Sequence, residues 1–314
     1  MSAPALVATV AQVVVVAAGG PLLVGVMRQV RARLEGRAGA GVPQPWRDLR
    51  KLLRRQPVTP TGTGWAFRLA PLLLMGTSLV LAAVVPLLTT ALPLDPAADL
   101  FAVVGLLAVG TVVLALAALD TGTAFGGMGA SRAITILALV EPTILVAVFA
   151  LSARVGSTNL DAIVTATLRD PQRVVSPASL LAAAALAIVV VAETGRLPVD
   201  NPSTHLELTM IHEAMVLEYA GIDLGLVEWA SAVRLTVLLG LLASLFAPWG
   251  IAGAALAGLP MALLAFAVKV TVLGGGLAAA EVFIAKLRLF RVPELLAGSF
   301  VLALLAVASS FFLA

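Results

Sequence analysis

Seven of the seventeen acidic residues, Glu193, Asp200, Glu207, Glu213, Glu218, Asp223 and Glu228, fall within residues 193–228, between segments apolar enough to cross a bilayer. Charge beside hydrocarbon is costly unless it is paired or hydrated, so such a cluster marks an ion path, a proton relay or a docking surface. Carboxylates at this spacing can pass protons through bridging water, because each can be charged or neutral once its surroundings raise its proton affinity. Glu193 and Glu228 stand where the loop enters and leaves the membrane and are read as rim members of such a relay.

Within the loop, Pro198 and Pro202 bracket an extended or turning stretch. Thr204-His-Leu-Glu207 fits a capping box that opens a helix running to Tyr219 and ending at Gly221. At about 100° per residue, Glu207 and Glu218 share one face, His205 and His212 lie roughly opposite, and Glu213 falls between. On a soluble helix Glu207 would merely cap and Glu218 would be solvated; between membrane spans the functional reading takes precedence. Two histidines are too few for a metal site, and bis-histidine haem ligands sit on facing helices, so no metal or haem is expected here.

Three more ionisable residues lie inside apolar segments. Glu141 precedes Pro142, where the missing N–H opens the helical ladder locally. Lys269 and Glu281 share a later segment, and a static pair between Lys269 and a neighbouring acid is the structural alternative to a proton path. Asp120 and Arg132 flank TGTAFGGMGASR, which reads as a re-entrant or hinge loop. Its GxGxxG-like look has no preceding strand, so nucleotide binding is not expected.

The elements that must position these groups follow from composition. The chain is 61% hydrophobic and 12% charged, against roughly half and a quarter in soluble domains, and its mean hydropathy is +1.07. An all-α, polytopic membrane bundle of about eight helices is predicted, as one integral domain over 1–314. The roughly 20-residue criterion places spans near 5–27, 68–91, 100–119, 133–152, 177–193, 231–247, 256–284 and 295–313. Gly274, Gly275 and Gly276 could split the seventh, but a piece from Leu277 would be too short to span, so one long helix with a flexed middle is expected. The first span lacks a basic leader and a cleavage site and reads as retained.

Counting basic residues orients the bundle. With the amino terminus outside, sixteen Lys and Arg, from Arg28 to Arg291, fall inside, and only Arg154, Arg169 and Arg173 fall outside, with Lys269 left within a span. Loops 28–67 and 194–230 are then cytoplasmic. The net charge of +3 reflects this topology rather than nucleic-acid binding. The absence of cysteine means that the chain supplies no thiolate for an iron–sulfur or nickel centre, so such redox chemistry would belong to partners.

These residues carry a family resemblance. ETGRLPVD followed by LEL and LEYAG resembles the acidic loop of complex I subunit 1. GASRAITILALVEP resembles that family's fourth-helix motif at Arg132 and Glu141. RARLEGRAGAGVPQPWRDLRKLLRR resembles the segment beneath the peripheral arm, with Gln44, Pro45, Asp48, Leu49 and Lys51 at matching places. ELTMIHEAMVLEYAG and EVFIAKLRLFRVPELL resemble the hydrogenase branch, the membrane subunits of formate hydrogenlyase and hydrogenase-4 type complexes.

The resemblance implies eight spans in a prokaryotic inner membrane. It implies a docking surface with Arg47, Asp48 and Lys51 for hydrogenase-like large and small subunits and iron–sulfur subunits, with antiporter-like neighbours in the lipid. The [NiFe] centre and iron–sulfur clusters would lie in those partners and no cofactor in this chain. Glu193, Arg196, Asp200, Glu207 and Glu218 would line the chamber under the partner's redox centre, with Arg132, Glu141 and Glu228 continuing the path. The loop is about three residues longer between Glu207 and Glu218 than in complex I and carries His205 and His212, departures that count against a quinone site. A quinone-site subunit of complex I and an independent secondary transporter are the alternative functions; a pure anchor would have no use for Glu141, Lys269 and Glu281.

Overall fold

An apolar run of twenty residues must satisfy its own backbone hydrogen bonds in lipid, and a helix is how one segment does so. The computed structural model describes residues 3–94, 97–200, 210–253 and 256–312, and eleven α-helices among them. These are α1 (Ala3–Leu34), α2 (Gln44–Leu52), α3 (Trp65–Val84), α4 (Leu100–Asp120), α5 (Ala124–Ala153), α6 (Leu160–Arg169), α7 (Pro177–Glu193), α8 (His212–Val216), α9 (Gly221–Phe246), α10 (Leu259–Phe283) and α11 (Val292–Phe312). Seven of them (α1, α3, α4, α5, α9, α10 and α11) are long and apolar enough to cross a membrane, and α7 is a shorter apolar helix. The protein is an all-helical, multi-pass membrane bundle.

The most enclosed of the seven is α9. It packs against α3 and α1 and touches α10, α7 and α2. α4 lies between α3 and α5, and α11 packs on both α5 and α7. Val16, Leu81, Leu107, Ile144, Leu186 and Leu238 belong to one continuous core. A second cluster gathers Phe67, Ala130, Met215 and Tyr219 where α8 meets the bundle.

Several boundaries depart from the hydropathy reading, each for a local reason. The third helix stops at Val84 instead of continuing to 91, because Pro86 cannot donate to the ladder. Buried Gln12 of α1 covers the break: its Nε2 donates to the carbonyls of Ala82 and Val85, each at 2.8 Å, and its Oε1 accepts from the amides of Leu87 and Leu88 at 3.3 and 2.9 Å.

The glycine-rich segment is not a re-entrant loop or hinge but the first turns of α5. Thr123 caps that helix by accepting from the Gly126 amide at 3.2 Å. Its glycines serve close packing: a Cβ on Gly126 would lie 2.4 Å from the Ala118 carbonyl oxygen, and one on Gly129 would meet α8 and the Ile211 carbonyl at 3.0 Å. Asp120 accepts from the amides of Gly64 and Phe67 at 2.8 and 3.0 Å, which anchors the start of α3.

α10 is continuous from Leu259 to Phe283, and Gly274 is where α1 approaches it, since a Cβ there would lie 2.7 Å from Leu23. α9 begins ten residues before the expected span, so Arg234, which the charge count used as an inside residue near the start of that span, lies well within a membrane helix.

The expected helix from Thr204 to Tyr219 is not seen in its described part. Residues 210–219 contain only the five-residue α8, and Gly221, at φ +59°, opens α9 instead of closing a helix. The cause is tertiary. Asp200 accepts from the His212 amide at 3.0 Å, and Arg132 donates to the Met210 carbonyl at 2.8 Å, so the stretch of loop before α8 is pinned from both sides. His205 and Glu207, and with them the expected Glu207–Glu218 face, lie outside the described residues.

Candidate functional site

Five helices bring the charged groups together. The end of α7 and the turn after it supply Glu193, Arg196 and Asp200; α8 supplies His212 and Glu213; α9 supplies Glu228 and Arg234; α1 and α10 supply Arg28, Arg31 and Glu281. They line two cavities. The larger, of about 660 Å³, opens between α1, α2, α9 and the turn after α7, and is faced by Arg28, Arg31, Asp48, Arg196, Glu213, Glu228 and Glu281. The smaller, of about 90 Å³, lies deeper among α3, α4, α5, α7, α8 and α9, and is faced by Ser78, Thr111, Glu193, Asp200, His212 and Arg234. Thr194, Gly195, His212 and Ser231 border both, so the two spaces adjoin.

Ion pairs organise the outer chamber. Glu281, whose side chain is 1% exposed, pairs with Arg31 and, at 3.4 Å, with Arg196. Two guanidiniums on one carboxylate leave net positive charge at this wall. Burial pushes the Arg196 guanidinium down from its ordinary value, and Glu281 pulls it back toward the charged form. Asp200 is buried and takes Lys286 Nζ at 3.1 Å as well as the His212 amide. Asp48 is half-exposed, 3.7 Å from Arg28, and accepts from Gln44 at 2.9 Å.

Glu193 is deeper than the rim position expected for it. Its side chain is 4% exposed and pairs with Arg234, which also donates to the Leu107 carbonyl and to Thr111 Oγ1, each at 2.8 Å. Glu141 Oε1 is buried and has no hydrogen-bond partner among the described residues. Glu141 lies one turn beyond Leu137, which lines the inner cavity, so it extends the same face of α5 inward. Arg234 is thus the group that sequence reasoning missed. The signal was present, an arginine three residues into an expected span, but a topology count absorbed it.

Not every expected residue joins the site. Glu218 sits in the turn after α8, half-buried, and faces neither cavity. Lys269 is half-buried on α10 and faces neither cavity; no carboxylate pairs with it among the described residues. It is twelve residues from Glu281, roughly 18 Å along the helix, so those two do not pair. Arg132 acts on the loop backbone at Met210 and does not line either cavity. Arg47 and Lys51 point outward from α2, whose other side buries Pro45 and Leu49. The chain has no cysteine, and no cluster of three His, Asp or Glu suited to a metal ion occurs among the described residues.

Comparison with known proteins places this arrangement. Formate hydrogenlyase subunit 4 of Escherichia coli is 36% identical over 303 residues, covering 95% of this chain and 96% of that one. Hydrogenase-4 component C of the same organism is 36% identical over 240 residues, covering 76% and 75%. NADH-quinone oxidoreductase subunit 8 of Rhodothermus marinus is 26% identical over 235 residues, covering 72% and 68%. A chain of the archaeal membrane-bound sulfane sulfur reductase shares the fold at a TM-score of 0.84, with 19% identity over 98% of this chain and 99% of that chain. The sequence pattern of the NADH dehydrogenase family matches residues 6–312, and the chain belongs to that family, with the complex I subunit 1-like membrane proteins.

Proposed function

We propose that the chain is the membrane-embedded subunit of a group 4 [NiFe]-hydrogenase or formate hydrogenlyase-type complex, where it seats the peripheral redox arm and carries protons between that arm and the bilayer. The observation that carries the reading is the junction of the two cavities at Thr194, Gly195, His212 and Ser231, which leads from an open, charged chamber to the buried Glu193 and Arg234. Near-full-length identity to formate hydrogenlyase subunit 4 supports this choice of complex.

In this reading the chamber between α1, α2 and the turn after α7 faces the cytoplasm and the amino terminus lies outside. With Arg234 reassigned to a span, the basic residues still favour that orientation. The outward face of α2, with Arg47 and Lys51, and the Arg28–Asp48 pair form part of the surface on which hydrogenase-like and iron–sulfur subunits dock. Antiporter-like subunits are the neighbours in the lipid. The redox centres belong to those partners.

Mechanistically, a proton released or taken up near the docked arm enters the outer chamber, where Glu213 and Glu228 are accessible carboxylates. It passes through water to the inner cavity, which is roomy enough for several waters and offers them Ser78, Thr111, Glu193, Asp200, His212 and Arg234. Glu193 lines that cavity, and Glu141 lies one helical turn of α5 beyond Leu137 at its wall. Glu141→Gln and Glu193→Gln in the assembled complex should lower proton movement coupled to hydrogen turnover; normal coupling in both would overturn the relay. Copurification in mild detergent should recover nickel, iron and cysteine-rich subunits.

A quinone-site subunit is the second reading, favoured by the size of the outer chamber, about 660 Å³. Quinone-reductase activity and recovery with NADH-oxidising subunits would select it.

A further inference from the structure

We propose that the end of the bundle away from the charged chamber holds one anionic phospholipid, whose headgroup phosphate is bound by Arg154, Arg169 and Arg173. This site is separate from the proton-handling function above and does not rest on it.

These are the three arginines that a topology count leaves on the side expected to carry few, and the fold brings them together. Arg154 follows the end of α5, Arg169 ends α6 and Arg173 lies in the single 3-10 turn Pro171–Val175 before α7. All three line one open cavity of about 600 Å³, to which Thr90, Asn159 and Thr165 add polar side chains. Arg154 is roughly 25 Å along α5 from Leu137 of the inner cavity. The cavity therefore lies where the apolar helices end, at the level of lipid headgroups.

The local sequence builds the space. α6 buries Leu160, Ile163 and Val164 in the core. Its cavity positions, Ala162, Thr165, Ala166 and Arg169, fall on one helical face, where three small side chains keep the volume open and an arginine stands at the end. Arg154 is held in place: its Nη1 donates to Ser176 Oγ at 2.6 Å and lies 3.5 Å from Ser179 Oγ. Arg173 donates through Nε to the exposed Asp170 at 3.2 Å. The Arg169 guanidinium makes no hydrogen bond or ion pair among the described residues.

Charge selects the ligand. Three guanidiniums and one carboxylate, the buried Asp161, face the cavity, and Asp170 offsets Arg173 from beside it. The positive charge that remains is what one phosphodiester neutralises, and guanidinium N–H groups match phosphate oxygens in pairs. Val175 and Leu180, both exposed, follow Arg173 at the start of α7 and offer apolar surface to acyl chains, for which a free phosphate has no use. Capping of the α6 carboxyl end by Arg169 and the weak, exposed Arg173–Asp170 pair account for these arginines singly, not for their sharing one cavity.

The test is native mass spectrometry of the full chain released from nanodiscs of mixed phosphatidylglycerol and phosphatidylcholine. The wild type should retain one phosphatidylglycerol that the Arg169→Gln/Arg173→Gln double variant loses, with affinity about thirtyfold lower, at roughly fivefold per arginine. Ala166→Trp fills the cavity and keeps every arginine, and should lose the same lipid; circular dichroism reports whether each variant folds. Undiminished retention by either folded variant overturns the site. Retention of phosphatidylcholine as strong as that of phosphatidylglycerol overturns it too, since net charge would then select nothing. Displacement by millimolar inorganic phosphate would assign the cavity to a free anion and end the lipid assignment. In an assembled complex, loss of a partner subunit from the double variant, with the lipid still bound, would give the cavity to a protein instead.

Discussion

Lys286 Nζ lies 3.1 Å from Oδ1 of Asp200, joining the segment after α10 to the turn after α7 across 86 positions of sequence. Since Asp200 also receives the His212 amide, one buried carboxylate fastens three segments at the floor of the site. Asp200→Asn should cost up to about 3–5 kcal/mol, because it removes the buried charge that Lys286 Nζ faces. Adding Lys286→Met should recover part of that loss, which thermal unfolding of the single and double variants would measure. Strictly additive losses would show that the two residues act independently.

Glu281 and Asp48 should respond very differently to substitution, although each pairs with an arginine of α1. Glu281 is enclosed between Arg31 and Arg196, so Glu281→Gln leaves two guanidiniums facing each other. A loss of several kcal/mol that changes little with salt is expected. The Arg28–Asp48 pair is half-exposed on both sides. Asp48→Asn should cost at most about 1 kcal/mol, and less at high ionic strength. Chemical or thermal unfolding at two salt concentrations distinguishes them.

The chain contains a single tyrosine, which makes alkaline titration specific. Tyr219 stacks on Phe67 with ring centroids 4.1 Å apart, and its hydroxyl donates to the Phe67 carbonyl at 2.9 Å. Burial pushes its phenol above the ordinary value, with Asp223 and Asp120 adding to the effect. The folded form therefore keeps its proton where the unfolded chain loses it. Stability from this group is fully present below about pH 10 and declines above it, by at most about 1.4 kcal/mol per pH unit. Ultraviolet detection of phenolate should show one transition displaced upward in the native protein and returned to about 10 on denaturation.

Two neighbouring glycines of α5 should give opposite signs. Gly126→Ala places a methyl 2.4 Å from the Ala118 carbonyl, a backbone atom that cannot step aside, and should destabilise the α4–α5 turn. A methyl on Gly127 would meet nothing within 4 Å, so Gly127→Ala should stabilise by about 0.5–1 kcal/mol. Melting temperatures shifted in opposite directions would establish that the segment is a packed helix and not a hinge.

Hydropathy made the bundle legible because lipid demands long apolar helices whatever their tertiary neighbours. It could not locate the end of α3, where Pro86 and the distant Gln12 decide, nor the start of α5, where the glycines pack instead of bending. The acids of the site were visible as types. Their partners were not, because Arg31 with Glu281, Lys286 with Asp200 and Arg234 with Glu193 meet only after folding. Arg234 was hidden for a different reason: a positive charge near a span's end looks like a topology marker until the helix is seen to begin ten residues earlier. The short α8 shows the reverse case: over residues 210–219 the expected helix is reduced to five residues, where Asp200 holds the His212 amide and Arg132 the Met210 carbonyl.

Gln12 joins α1 to the unwound end of α3 through four backbone groups that would otherwise face hydrocarbon. Without α1 at its side the broken end of α3 would leave four backbone groups unpartnered, so the first helix completes the third through a single uncharged amide.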